Sequence, residues 1–280
     1  MIQAFIAAIF GGSADVVNKI LLGKMKMELK NYLPIVFIIL AVISLFLVPM
    51  NFHFDVQALS AKMIIILIIM LVSAGIWNIL LTKSMQTEPL HEYEVIILTS
   101  PFVIVLLAAI FLPAERNLVT FIAGIVSSLA LVLTRIQKHH IAISKTAKQT
   151  MLAVLLIGVE SVCLEILLNF YSPSFLYFIR VFILAITFSI IYKPDLSVLK
   201  KFETTKLLVL ASLMGTGVMV LKYYALQNIG LVLTTIILLI APLITYIASY
   251  FYFKEKKNFA RDAICAIVIA ICIIASLILK

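Results

Sequence analysis

The sequence predicts an all-α membrane protein whose ten transmembrane helices form a five-plus-five inverted-topology repeat. Three observations predict it. The 280-residue chain is 64% hydrophobic and only 12% charged, with a mean hydropathy of +1.20, which is more apolar surface than a water-soluble globule of this length can bury. Its apolar stretches number ten, each close to the ~20 residues that cross ~30 Å of hydrocarbon, and they fall five and five about a polar segment. One stretch is also written twice: Leu80 to Pro101 sits over Leu221 to Pro242 at a constant offset of 141 residues. Gln86 meets Gln227, Leu90 meets Leu231, and Ile96-Ile97-Leu98 meets Ile237-Leu238-Leu239, the mark of an internal duplication.

Taken in order, the spans run over 2–22, 32–50, 62–82, 92–112 and 117–135, then 150–170, 173–192, 205–226, 231–253 and 259–279. The segment between the two sets, Arg135 to Gln149, is the most polar of the chain and carries Lys138, His139, His140, Lys145 and Lys148. The expected units are 1–137 and 150–280, joined by a basic linker over 138–149. Because five is odd, the second unit enters the membrane from the side opposite to the first, the arrangement that secondary transporters use for alternating access about a midplane site. Pro101 and Pro242 fall at the same place in both units. Proline removes a helical hydrogen bond and is tolerated in a membrane helix only where neighbours compensate, so an irregular, bendable fourth and ninth helix is expected. The apolar runs that follow end in a charged pair each, Glu115-Arg116 and Glu255-Lys256.

Charge assigns the sides. The net charge is +9, but the basic residues sit in short loops between apolar runs, where they orient the chain and meet anionic lipid headgroups rather than nucleic acid. Sixteen Lys and Arg follow odd-numbered helices, against three, Lys62, Arg116 and Lys280, on the other side. That bias puts the odd loops in the cytoplasm and both termini outside. The N-terminus, Met1-Ile2-Gln3, has no basic leader, so the first run is expected to be a retained helix. Cys163, Cys265 and Cys272 lie in apolar runs without a C-x-x-C pair and read as inert thiols, with no metal site and no cofactor.

These residues carry a family resemblance. Tyr223-Tyr224-Ala225-Leu226-Gln227-Asn228, then Ile240-Ala241-Pro242-Leu243, then Glu255 closing the ninth helix, in a ten-helix chain, resemble the EamA-type branch of the drug/metabolite transporter superfamily. Phe10-Gly11-Gly12-Ser13 followed by Lys19 is similar to that family's aromatic-glycine-serine start, and Arg180 matches a basic residue often found early in its seventh helix. The sequence departs from the pattern where Ile38 and its neighbours hold the place of a repeat partner for Arg180. It departs again where His91-Glu92-Tyr93-Glu94 replaces Val232-Leu233-Thr234-Thr235. The resemblance implies a solute carrier, most often an exporter of small metabolites or drugs, with helices one, three, four, six, eight and nine around the cavity. It also implies a multi-pass protein of a bacterial or archaeal inner or plasma membrane, with a small-molecule substrate and no enzymatic activity.

The site residues are argued from charges inside apolar runs, because a charge at mid-bilayer costs roughly 2.5–3.5 kcal/mol on insertion scales. Asp15 and Lys19 lie in the first helix, Glu160 and Glu165 in the sixth, Arg180 in the seventh and Lys222 in the eighth. Asp15 and Lys19 are four apart with the acid first, the favourable order for a pair on one face; Lys19 is also close enough to the helix end to snorkel. Glu160, flanked by Gly158 and Ser161, has two readings. It lines the path, as a proton carrier or as the counter-charge to a cationic solute, or it is the buried partner of Arg180 or Lys222. Glu165, about 140° further around the helix, is assigned a structural pair with Arg180. Asp15 is the second candidate proton carrier.

Asn18, Trp77, Asn78, Lys222, Tyr223 and Tyr246 complete the expected substrate-binding set, because tyrosine, tryptophan and amide groups give a wall that is both apolar and hydrogen-bonding. Trp77 and Tyr250 have an alternative as interfacial belt residues. Glu88, His91, Glu92 and Glu94 read as a solvated loop or as a charged mouth. Gly124 with Ser128 and Ala266 with Ala270 mark close helix contacts, within the chain or across a homodimer. No H-E-x-x-H, G-x-S-x-G or G-x-x-x-x-G-K-[ST] occurs, so an intramembrane enzyme is disfavoured. A channel or non-transporting membrane sensor is the alternative to a carrier.

Overall fold

In a computed structural model of the chain, residues 1–87, 96–135, 145–241 and 259–278 are described. Over these residues the protein is all-α. Its helices are α1 (Ile2–Lys19), α2 (Leu29–Leu47), α3 (Ala61–Thr87), α4 (Ser100–Phe111), α5 (Leu118–Arg135), α6 (Lys145–Leu167), α7 (Pro173–Tyr192), α8 (Phe202–Ile229), α9 (Leu231–Leu238) and α10 (Phe259–Ile278). Five of them carry a segment long and apolar enough to cross a membrane, within α2, α3, α6, α7 and α8. Shorter apolar helices lie in α1, α4, α5 and α10. Ile64, Ile65, Ile68, Ile69 and Val72 of α3 face outward uncovered. In water such a stripe would drive aggregation; against acyl chains it costs nothing. The protein is an integral, multi-pass membrane protein.

The helix ends follow local chemistry. Pro173 opens α7 directly after Ser172, where its missing N–H is one that a first turn leaves unbonded anyway. Gly230, at φ +83°, separates α8 from α9, a conformation that glycine adopts without strain. Near Pro101 the helical pattern lapses at Leu98 and Thr99 and resumes at Ser100. At the repeat-equivalent place in the second half it lapses at Leu239. Each lapse adjoins the carbonyl, four residues before a proline, that has lost its usual N–H donor. This is why α4 and α9 are shorter than the apolar runs that contain them. Pro242 itself lies outside the described residues.

Two boundaries differ from the sequence reading. Helix α6 begins at Lys145, inside the stretch read as a linker, because Lys145 to Thr150 lacks any glycine or proline to stop it. Helix α1 does not end at Leu22 but passes into a single wide turn over Ile20–Lys24.

Positions that align in sequence at the offset of 141 make matching bonds. Gln86 donates from Nε2 to the Met27 carbonyl at 2.8 Å, and Gln227 donates from Nε2 to the Leu168 carbonyl at 3.0 Å. Donors and acceptors are both 141 residues apart. The α2–α3 and α7–α8 connections match too: Asp55 accepts from the Gln57 amide and opens a 3-10 turn over Val56–Leu59, while Asp195 accepts from the Ser197 amide and opens one over Leu196–Lys200. The most extensive helix packing joins α3 to α6, α1 to α8, α2 to α7 and α5 to α10. Advancing every helix by five places maps this set onto itself.

The connections gather at two ends. Asp55 N donates to Phe170 O at 2.9 Å and Ser172 N to His53 O at 3.0 Å, tying the α2–α3 connection to the α6–α7 connection. Tyr224, near the end of α8, reaches both, accepting from Asn51 at 3.1 Å and meeting Ser174 at 3.3 Å. Asn228 donates to Gln3 at the start of α1. At the opposite end, Asp195 N donates to Asn31 Oδ1 at 2.9 Å, tying the α7–α8 connection to the start of α2.

Candidate functional site

Glu160 of α6 and Arg180 of α7 are each 3% exposed. Taking two such charges out of water costs several kcal/mol each unless they meet with good geometry. They do meet: Arg180 donates from Nε to Glu160 Oε1 at 2.5 Å. The second carboxylate oxygen accepts from Trp77 Nε1 of α3. Arg180 Cζ lies 5.8 Å from the centre of the same indole ring, within cation–π range. A carboxylate, a guanidinium and an indole are thereby held against one another where α3 of the first half packs on α6 of the second.

Small residues make this approach feasible. A Cβ at Gly158 would stand 2.8 Å from Leu107 Cδ1 and 3.0 Å from Val103 Cγ1 of α4, so glycine lets α6 lie against α4 two residues before Glu160. Gly124 does the same between α5 and α4, where a Cβ would come within 2.7 Å of Val105 Cγ2. The Gly124 contact is therefore made within the chain.

Beside the charge pair lie two buried tyrosines. Tyr177 of α7 and Tyr223 of α8 meet edge to face with ring centroids 5.9 Å apart, and both are fully buried. Tyr223 lies within the electrostatic reach of Arg180 and Glu160. So does Lys222, which is half-buried and makes no hydrogen bond or ion pair among the described residues. Arg180 Nη2 and the Tyr223 hydroxyl are also buried without a partner among those residues. Leaving such groups unpaired costs about 1–3 kcal/mol each, more for a charged one.

Of the expected site residues, the fold brings Trp77, Glu160, Lys222 and Tyr223 together. It adds Arg180, which the sequence reading paired with Glu165. That pairing is corrected: Glu165 is five residues on and lies on a different face, within electrostatic reach of Glu115 rather than of Arg180. Asn18 and Asn78 serve elsewhere. Asn18 Oδ1 accepts from the Tyr32 hydroxyl at 2.8 Å, joining α1 to α2, and Asn78 Nδ2 donates to the Ala74 carbonyl of its own helix at 2.8 Å. The side chains of Asp15 and Lys19 lie outside the described residues, as do Tyr246, Glu88, His91, Glu92 and Glu94. Tyr177 was missed, although it stands three residues before Arg180, and that spacing places both on one face of a helix.

Glu115 was missed as well. Its carboxylate accepts from Leu231 N at 2.9 Å and Val232 N at 3.2 Å, capping the N-terminus of α9, where free amides and the helix dipole favour negative charge. Outside this cluster, a groove of about 410 Å³ between α2 and α7 is walled by aliphatic and phenyl side chains such as Ile38, Val42, Phe178 and Phe182. It belongs to the apolar outer surface, and Ser189 is the one polar residue in its lining.

A solved crystal structure matches the fold with a TM-score of 0.77, covering 99% of this chain and 96% of that chain at 12% sequence identity. At that identity the likeness speaks for the fold alone. No curated protein matches the chain in sequence. The family model of the EamA-like transporter family matches residues 146–279, which contain Glu160, Arg180, Lys222 and Tyr223. The match spans just under half of the chain, and it makes this second half similar to the EamA-like transporter family, part of the drug/metabolite transporter superfamily.

Proposed function

We propose that the protein is a secondary transporter that exports a small polar or amphipathic metabolite by alternating access, with two five-helix units, the first over 1–137 and the second from the start of α6 onwards, rocking about the Trp77–Glu160–Arg180 cluster. The observation that carries this reading is the cluster itself: a buried charge pair whose carboxylate is shared between α3 of one unit and α6 and α7 of the other. Intramembrane charges that face the interior of a bundle mark a solute or ion path.

The opposed sense of the units is supported by the connections. Those after α2, α6 and α8 are bonded together at the end where α1 starts, and those after α1 and α7 meet at the other end. Helix α6 thus finishes at the end where α1 begins, which supports a second unit that traverses the membrane in the opposite direction to the first. Interruptions at Leu98 and Leu239 give α4 and α9 matching places to bend.

Glu160 is the group we assign to proton coupling, with Asp15 as a second carboxyl. Protonation of Glu160 would remove the charge that holds Arg180 and loosen the tie between the units. Purified protein in sealed liposomes should carry labelled solute saturably, and an imposed pH gradient should change the rate. Glu160→Gln, compared per folded molecule, should abolish the pH effect. Flux that never saturates, or that ignores both the gradient and the substitution, would contradict the coupled carrier.

A further inference from the structure

We propose that the cluster of Arg180, Lys222 and Tyr223 receives an anionic head group, a carboxylate or a phosphate, so that the solute carried is an organic anion. Naming the solute in this way rests on the carrier reading. Among the described side chains the cluster holds two cations, Arg180 and Lys222, and one anion, Glu160. Each oxygen of the anion already accepts a bond, one from Arg180 Nε and the other from Trp77 Nε1, and its charge is balanced by Arg180. Paired with Arg180 in this way, it is no free counter-charge for a cationic solute, which was one of the readings open for it in the sequence.

Among the described residues three donors have no partner: Arg180 Nη2 and the Tyr223 hydroxyl, both buried, and Lys222 Nζ, which makes no hydrogen bond or ion pair there. Two of them belong to side chains that are 3% and 0% exposed. Buried polar groups in folded proteins are almost always bonded, and those left over call for a ligand or an ordered water. An ammonium and a guanidinium N–H offer only donors and the phenol O–H can add a third, and charge-assisted bonds to a carboxylate or phosphate are the strong way to complete them. A neutral or cationic head group would leave the surplus positive charge uncompensated in a low-dielectric site. The rings of Trp77, Tyr177 and Tyr223 beside these donors suit an aryl or alkyl body behind the head group.

Trp77 is the single tryptophan of the chain and sits in the cluster, so its fluorescence reports binding directly. Purified protein in lipid nanodiscs is titrated with 3-phenylpropanoate, 2-phenylethyl phosphate, 3-phenylpropanamide and 3-phenylpropylammonium, and with inorganic phosphate. At least one organic anion should bind roughly ten-fold or more tightly than the amide, as expected for a charge-assisted contact, and the ammonium most weakly. The ratio between the two anions tells carboxylate from phosphate. Lys222→Met should lose roughly ten-fold of anion affinity and Lys222→Arg should restore most of it.

The proposal is overturned if the amide or ammonium binds as tightly as the anions, if neither anion binds at millimolar concentration, or if Lys222→Met leaves anion affinity unchanged. Should Lys222→Met fail to fold, the probe series on the unmodified chain decides alone. The same probes in sealed liposomes separate the two readings. Anion binding without saturable flux defeats the carrier and leaves the anion site, whereas saturable flux that prefers the ammonium defeats the anion site and leaves the carrier.

Discussion

Trp77 of α3 donates its indole N–H to Glu160 of α6, so a single hydrogen bond crosses from the first half of the chain to the second at the buried charge. Arg180 holds the other oxygen of the same carboxylate. The three side chains therefore behave as one unit, and removing any member strands the rest.

Stranding a buried charge costs about 3–5 kcal/mol, whereas replacing both partners by apolar groups of similar volume is often near neutral. Glu160→Gln and Arg180→Met are each expected to lower thermal stability strongly. The double variant Glu160→Met/Arg180→Met should recover most of the loss. Melting curves in one detergent check this, and additive losses would show that the pair is not coupled in the fold.

Glu115 and Gly230 form a second tie. Glu115→Ala removes the cap of α9 and should cost about 1–2 kcal/mol. Gly230→Ala puts a Cβ into the Glu115 carboxylate at a backbone angle that favours glycine, with a loss above ~1 kcal/mol. Hydrogen exchange should speed up over Leu231 to Thr234 in both variants. Unchanged protection there would mean that α9 is held by packing alone.

Gln86→Leu and Gln227→Leu should each cost about 1 kcal/mol, the net worth of an ordinary hydrogen bond. They touch opposite ends of the molecule, so the double variant should equal the sum within ~0.5 kcal/mol. Strongly unequal losses would indicate that the repeat-equivalent bonds do not play the same role.

Outside the membrane, the Ser197 hydroxyl and amide donate to Asp195 and hold its carboxyl below the usual carboxylate range. A folded-state pKa that is depressed contributes stability above the unfolded value, and this is lost as pH falls through the folded one. Stability measured from about pH 5 downwards should therefore fall less steeply in Asp195→Asn than in the unmodified chain. Identical slopes would assign the acid sensitivity elsewhere.

Much of this architecture is legible in the residues. Apolar runs of membrane length and the doubled stretch around Gln86 and Gln227 point to the helices and to their kinship, because both are local patterns. Glu160 and Arg180 stand out because charge is costly in an apolar run. Their pairing does not stand out: Lys222 is an equal candidate until the rotational setting of α6, α7 and α8 is known, and helical spacing says nothing of it. Glu165 shows the same limit, since its partner depends on which neighbour its face meets. Glu115 reads as a charged end to an apolar run, and only the return of the chain at Gly230 brings the α9 amides to it. The lapses at Leu98 and Leu239 are a middle case, foreshadowed by proline but shifted two to three residues ahead of it, where the lost donor is felt.

The opposed sense of the two units is the proposition on which the carrier depends, and sidedness tests it most directly. With Cys163, Cys265 and Cys272 replaced by serine, single cysteines are introduced as Gln57→Cys after α2, Asn117→Cys after α4, Met25→Cys after α1 and Ser197→Cys after α7. They are then labelled in intact cells with a membrane-impermeant maleimide. Gln57→Cys and Asn117→Cys should label from one side, and Met25→Cys and Ser197→Cys only from the other. Labelling of Gln57→Cys and Ser197→Cys, the matched turns of the two repeats, from the same side would mean parallel units and would contradict the account.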